Sequence, residues 1–375
     1  MRIAINTRFL LKGKLEGIGW FTYEIVRNMV LNHPEHEFIF LFDRAYDESF
    51  IFASNVTPVV ISPPARHPFL WLIWFERSVK RTLKKYKADL FISTDGFLSL
   101  SSKIPTILVI HDLAFEKYPQ HMPFKFSFFL KQFTPKYAKK AKHIITVSEH
   151  SKAEIIATYQ IPPEKISVVY NGANQHYKPL SFEEKEKVKN QYSSGSEYFV
   201  FAGALHPRKN IVNLLLAFAQ FKKRQQSNMK LLIIGRFAWH AENIKKTMQE
   251  HPFRHDVIHY DYMQVDELSK VIGAAYCLTF VSLYEGFGIP ILEAIQCQVP
   301  GIVSNSSSLP EVAGDTALYV DPTDVDDITN QMCIIYKNEN LREQLASKCV
   351  TQAQKFDWKK SAVLFYDIAI KSEAN

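Results

Sequence analysis

Short unbroken apolar runs recur along this chain, and longer segments with apolar residues every three or four positions lie between them. In the first half the runs fall at 2–6, 38–42, 58–61, 89–93, 106–111, 143–148 and 167–170. In the second half they fall at 198–203, 231–235, 257–260, 277–282, 301–304 and 317–320. Runs of this length without polar alternation predict strands buried on both faces. The segments between them have helical spacing, as in Phe21, Ile25, Val26 and Met29, or Ile211, Leu214, Leu215 and Phe218. Strand and helix alternating in this way predict parallel sheets covered by helices. Two sets of runs predict an α/β chain of two doubly wound parallel-sheet domains facing across a cleft. Ligands then bind outside the carboxyl ends of the strands.

The domain boundary is predicted from a break in pattern. Asn171-Gly172 ends one run, and the charged segment 182–192 leads into Ser193-Ser194-Gly195-Ser196. This gives a first domain over 1–178, a second over 179–355 and a terminal helical segment over 356–375. At 375 residues, 47% hydrophobic and 22% charged, the chain suits a globular protein with sizeable cores. It has no apolar run of membrane-spanning length, and its start, MRIAINTRFL, reads as a first strand rather than a secretory leader. Cys277, Cys297, Cys333 and Cys349 lack paired spacing, which argues for a reducing cytoplasm and against a disulfide framework or zinc site.

Charge changes the picture more. The net +7 is uneven: residues 1–178 hold 24 Lys and Arg against 15 Asp and Glu, the remainder 21 against 23. A basic first half points to an anionic partner, although a solvated basic face is the other reading. Two stretches sharpen this. At 68–87, Trp71, Trp74, Phe75 and Val79 share a helical face beside Lys and Arg; at 123–142, Phe124, Phe126, Phe128, Phe129 and Phe133 lie among lysines. Such helices either rest on an anionic bilayer or are core helices with charged outer faces. No nucleic-acid module pattern is present, so no nucleic-acid partner is expected.

Candidate chemistry centres on 284–293, YEGFGIPILE. The run before it reads as a strand, and Ile291, Leu292, Ala294 and Ile295 after it as a helix. Gly286 and Gly288 permit positive φ and close backbone approach. Pro290 suits a first helical turn. The N–H groups and dipole of that helix start favour an anion. Glu285 would repel a phosphate there, so it suits neutral hydroxyls or a developing cation. Glu293, about one turn on, suits a ribose diol. Together these read as a nucleotide-sugar site; an ordinary strand-to-helix turn is the alternative. In GALHPRKN, Arg208 and Lys209 precede a helical pattern and favour a diphosphate, a placement unfavourable for the helix itself. Gly17 and Gly19 precede another helical pattern. They would either turn amides toward a diphosphate or acceptor, or form a simple loop. His111-Asp112 closes a strand, which places His111 toward the cleft and leaves Asp112 to orient the loop or cap a helix. Ser148 or Ser151 suits a helix cap. Asp324 and Asp326 sit at a helix start rather than on a metal.

The two glutamates with their Gly-Phe-Gly and proline resemble the paired-Glu motif of the retaining family 4 glycosyltransferases (glycosyltransferase group 1), which have the GT-B fold. The resemblance covers nearly the whole chain and is strongest over 203–312. It implies retaining transfer of a hexose from a nucleoside-diphosphate sugar to an acceptor hydroxyl, as in bacterial mannosyl- and hexosyltransferases of surface polysaccharide and lipopolysaccharide assembly. It implies that the second domain holds the donor, the first the acceptor, and that the last helix crosses back to the first domain. His111 and Glu285 then match catalytic positions, while Gly17, Gly19, Arg208, Lys209, Gly286, Phe287, Gly288 and Glu293 match donor-binding positions. Ala204 stands where one common version of the motif has arginine, so Lys209 is a firmer match than Arg208. No cofactor and no metal are expected. The partners implied are the nucleotide sugar, a carbohydrate or lipid-linked acceptor and an anionic membrane surface, for a cytoplasmic, peripheral enzyme. The sugar, base and acceptor stay open. An epimerase or phosphorylase of the same fold, or a catalytically silent nucleotide-sugar-binding protein, are the alternatives.

Overall fold

The structure is a computed structural model that describes residues 1–65 and 67–374. Every predicted strand is present. They are β1 (Arg2–Asn6), β2 (Glu37–Phe42), β3 (Val56–Val60), β4 (Leu90–Ser93), β5 (Thr106–Val109), β6 (His143–Thr146) and β7 (Ile166–Val168) in a first sheet. The second sheet has β8 (Tyr198–Ala202), β9 (Lys230–Ile234), β10 (Val257–Tyr260), β11 (Cys277–Phe280), β12 (Gly301–Ser304) and β13 (Ala317–Val320). Several predicted ends overshoot by one or two residues because buried apolar side chains such as Ile110, Val147 and Val281 continue past the last ladder pair.

Among the described residues the first sheet runs β3-β2-β1-β4-β5-β6-β7 and the second β10-β9-β8-β11-β12-β13. The pairings are parallel, as in Ile3 with both Phe38 and Leu90, or Val200 with both Leu232 and Leu278. Strand order therefore reverses between β1 and β4, and again between β8 and β11. Loops that leave two such neighbouring strands diverge, so the carboxyl ends there form a crevice. The strands are near-continuous apolar runs because helices cover both faces: Phe38, Phe40, Leu41, Phe199, Val200 and Phe201 are fully buried. Each such side chain contributes about 1.5–3 kcal/mol relative to exposure.

The chain divides into two compact units. One comprises Met1–Pro119, Pro123–Asn171 and Asp357–Asn375; the other comprises Gln120–Met122 and Gly172–Phe356. The boundary lies at Asn171 and Gly172 rather than after residue 178. The reason is local: Tyr177 is buried and donates to Glu293, and Leu180 packs beside Gly273, both deep in the second unit. The charged segment after it is a helix, Phe182–Ser193. Its start is a capping box in which the Glu184 N–H donates to Ser181 Oγ at 3.3 Å and the Ser181 N–H to Glu184 Oε2 at 2.8 Å. In the first unit the last helix, Trp358–Ala374, packs on helix Gly17–Asn32, with Phe21 edge-on to Trp358 and Phe365.

The aromatic-basic stretches resolve differently from each other. At 68–87 Trp74, Phe75 and Val79 are wholly buried, and Trp71 Nε1 donates to the Ala65 carbonyl at 2.8 Å. Much of that stretch is therefore core, although Phe69 is 64% exposed. In helix Phe124–Lys140, Phe129 is buried and stacks on Phe133, but Phe124 and Phe128 are 80% and 58% exposed. No helix among the described residues is long and apolar enough to cross a membrane.

Candidate active site

The second unit's crevice is built from the turns after β8 and β11. Backbone crowding fixes the first. A Cβ on Gly235 would lie 1.9 Å from the Gly203 carbonyl, and both glycines have strongly positive φ, so only glycine fits. The chain then makes a single 3-10 turn, Pro207–Lys209, before helix Ile211–Gln225. Asn210 ends that turn in the left-handed region, and its Nδ2 donates to the carbonyls of Val281 at 3.0 Å and Pro322 at 2.6 Å. The turn carrying both cations is thereby tied to the chain leaving β11.

That second turn leads into helix Ile289–Gln296. Gly288 stands at its N-cap with φ +110°, and a Cβ there would come 2.8 Å from Leu309 Cδ2. Ser308 Oγ lies 2.9 Å from the carbonyls of both Glu285 and Phe287, and the Glu285 N–H donates to Ser307 Oγ at 3.0 Å. The sequence reading gave Phe287 a place against the donor. Its ring is buried edge-on to Phe356, and its carbonyl lies in the turn beside Ser308 Oγ.

Glu285 is clamped by the two cations. Lys209 Nζ is 2.6 Å from Oε1 and Arg208 Nη1 is 3.0 Å from Oε2. Arg208 Nη1 also donates to the Tyr284 carbonyl, and Lys209 Nζ lies 5.0 Å from the Phe280 ring centre. Burial pushes the Glu285 carboxyl up, but Arg208 and then Lys209 outweigh it and hold the group at about 2. It is therefore ionised at physiological pH and cannot serve as a proton donor. Two cations against one carboxylate leave the cluster with a net positive charge. The cations stay partly open, at 20% for Arg208 and 14% for Lys209. Glu293 sits in the following helix under opposite electrostatics. Burial pushes its carboxyl up to about 7, against which only the Tyr177 phenol, donating to it, pulls down.

The remaining predicted residues lie in the first unit. His111 follows β5, and its Nε2 is 2.8 Å from the Thr94 carbonyl. A carbonyl only accepts, so Nε2 carries the hydrogen and Nδ1 is left as an acceptor. Burial holds the ring's pKa below its ordinary value, partly offset by the Thr94 carbonyl, Asp112 and Asp95. Asp112 accepts from the Ala114 N–H at 2.9 Å, and Ser148 caps helix Glu149–Tyr159 by accepting from Ser151 N–H at 3.0 Å. Gly17 and Gly19 correct the sequence reading. They lie inside the first turn of helix Gly17–Asn32 rather than in a loop before it, and a Cβ on Gly19 would sit 3.0 Å from the Phe9 carbonyl. Asp324 is the cap of helix Val325–Lys337, accepting from Asp326 and Asp327 N–H, and Asp326 pairs with Arg224. Sequence reasoning missed Tyr177, His206 and the buried pair Arg8–Asp95. The last had a signal: Arg8 and Asp95 each stand two residues past strands that flank the first order reversal.

The model of "Glycosyl transferases group 1" matches residues 182–351, and that of "Glycosyltransferase Family 4" matches residues 15–176. The O-antigen chain mannosyltransferase RfbU of Salmonella typhimurium is 30% identical over 285 residues, 74% of this chain and 75% of that protein. The chain belongs to the group 1, family 4 glycosyltransferases. This glycosyltransferase is also 28% identical to O-antigen chain mannosyltransferase B of Escherichia coli, over 93% of this chain and 94% of that one. Among solved structures it is similar to Anabaena HepE in complex with UDP-glucose, with a TM-score of 0.76 at 17% identity, over 98% of this chain and 99% of that one. The glycosyltransferase accordingly has the two-domain α/β GT-B-like fold.

Proposed function

We propose that this glycosyltransferase moves a mannosyl residue, with retention, from nucleoside-diphosphate mannose to a hydroxyl of a lipid-linked or polysaccharide intermediate. The observation that carries this reading is the ionised Glu285 held between Arg208 and Lys209 beside a helix start. When the glycosidic bond breaks, negative charge grows on the diphosphate and positive charge on the sugar. Arg208 and Lys209 suit the first and the Glu285 carboxylate the second. One preorganised donor at such a leaving group is worth ~3–4 kcal/mol. Each Glu285 oxygen is already taken by a cation, which makes a poor covalent nucleophile and favours same-face attack with the leaving phosphate accepting the acceptor's proton. The relatives' names support mannose and O-antigen chains, and the UDP-glucose complex of HepE supports a nucleotide-sugar donor.

The test is incubation with labelled GDP-mannose and UDP-hexoses, with EDTA throughout, in the presence and absence of a lipid-linked oligosaccharide. The expected outcome is acceptor-dependent transfer from a mannose donor, unaffected by EDTA, with the anomeric configuration retained by NMR. An inverted product, an epimerised sugar, or binding without turnover would each overturn the reading. Attachment to an anionic membrane is part of it, carried by exposed Phe69, Phe124 and Phe128 beside Lys125 and Lys131 rather than by the tryptophans. Co-sedimentation with anionic vesicles should fall with salt and on Phe124→Ser with Phe128→Ser; indifference to the lipid charge would remove this part.

A further inference from the structure

Arg208 and Lys209 occupy one 3-10 turn, so whatever fixes that turn fixes both cations. His206 precedes it with extended backbone, φ −133° and ψ 146°, and its side chain caps it. The Arg208 N–H donates to His206 Nδ1 at 3.2 Å. The other ring nitrogen, Nε2, lies 2.6 Å from the His121 carbonyl oxygen. The amide can only donate and the carbonyl can only accept, so the partners select one neutral tautomer, protonated on Nε2, and both nitrogens are used. His121 ends a short turn, Pro119–His121, between helices Ala114–Lys117 and Phe124–Lys140. Its segment, Gln120–Met122, groups with the second unit although the rest of its neighbourhood in sequence groups with the first. The His121 and His206 rings meet edge to face at 5.8 Å.

A charged ring would break this arrangement. Protonated Nδ1 becomes a second donor facing the Arg208 N–H, next to the charges of Arg208 and Lys209. Burial pushes His206 down to about 4; Arg208, His121 and Lys209 push the same way, and the His121 carbonyl pulls back. His121 is itself lowered by burial, Arg208 and His240.

We infer that His206 is a positioning residue for the donor diphosphate, clamping the cation turn in its neutral tautomer against the Gln120–Met122 segment. The inference rests on the reading that Arg208 and Lys209 meet the diphosphate. Its test compares wild type with His206→Phe, His206→Asn and Lys209→Ala, using GDP and UDP titrations and steady-state kinetics with the nucleotide sugar. His206→Phe keeps an aromatic ring but loses the cap, and should weaken nucleotide binding about tenfold, the scale of one lost cap, and lower kcat/KM by at least as much. His206→Asn, whose Oδ1 can accept the Arg208 N–H, should recover most of that loss. Lys209→Ala should weaken binding in any case. Wild-type affinity in His206→Phe alongside a weakened Lys209→Ala would overturn the inference and leave the diphosphate reading standing. So would equal loss in the Phe and Asn variants, which would mark a packing role. Unchanged affinity in Lys209→Ala would remove both.

Discussion

Each sheet reverses strand order once, and at each reversal an arginine after one strand meets a carboxylate after its neighbour: Arg8 with Asp95 past β1 and β4, Arg208 with Glu285 past β8 and β11. The chemistry is the same and the settings differ. Arg8 and Asp95 side chains are 4% and 0% exposed. Asp95 also accepts from Asn6 Nδ2 at 2.7 Å and from Ser93 Oγ at 3.3 Å, while the Arg8 guanidinium lies about 5–6 Å from the rings of Phe9, Trp71, Phe75 and Phe97. In that pair every charge is answered within the protein. In the second unit one carboxylate faces two partly open cations, next to a glycine turn and a helix start. The first pair is closed within its own unit, whereas the second keeps positive charge that is not cancelled and that solvent can still reach.

The two pairs should differ most in what they contribute to stability. Asp95→Ala should cost about 3–5 kcal/mol, because it strands a buried guanidinium. Denaturant midpoints would measure it, and a loss under ~1 kcal/mol would mean that the two pairs are alike after all. Glu285→Gln should instead lower kcat roughly 100-fold, or about 3 kcal/mol of transition-state energy, with a smaller loss of stability than Asp95→Ala because Arg208 and Lys209 stay partly solvated. A large drop in melting temperature with intact turnover would exchange the roles assigned to the two reversals.

The smallest effect belongs to Glu293. Its folded-state pKa is raised to about 7 from an ordinary 4.5. The stability from keeping it protonated is complete below 4.5 and is lost as pH rises through 7. Glu293→Gln should therefore flatten the decline in melting temperature between pH 5 and 8. Nucleotide affinity should move oppositely in wild type, strengthening as pH rises through 7, because the ionised carboxylate is the better acceptor for a diol. At pH 8 the Gln variant should bind roughly tenfold more weakly. A wild-type affinity that ignores pH over this range would detach Glu293 from the nucleotide.

What could be read from the sequence was whatever depends on local pattern. Apolar runs such as Arg2–Asn6 and Val257–Tyr260 located strands, because a strand covered on both faces cannot carry polar positions. Glu285, Gly288 and Lys209 were visible because tight turns and helix starts demand particular residues at fixed spacing. What was hidden depended on partners far away in the chain. Nothing in the local pattern showed that the Trp71 nitrogen donates to the Ala65 carbonyl, or that the Phe287 ring lies against Phe356, distant in sequence. The role of His206 needed His121, 85 positions earlier. Gly17 and Gly19 misled because a glycine pair before an apolar pattern can also lie in the helix's own first turn.

Helix Trp358–Ala374 has a consequence for how the polypeptide is made. It supplies Phe365 and Ala369, both wholly buried, to the layer over helix Gly17–Asn32, and Ser361 Oγ donates to the Tyr170 carbonyl at 2.7 Å. Yet it follows the whole of residues 172–356 in the chain. At about 5–20 residues per second on a ribosome, the first unit must wait roughly ten to forty seconds for its last piece after residue 171 has been added. Throughout that interval Phe21 and its neighbours lack a cover. Chains stalled before residue 357 should thus remain open to protease within residues 1–171, and chains stalled beyond the helix should not. The glycosyltransferase completes the unit it begins first only after the unit it begins second.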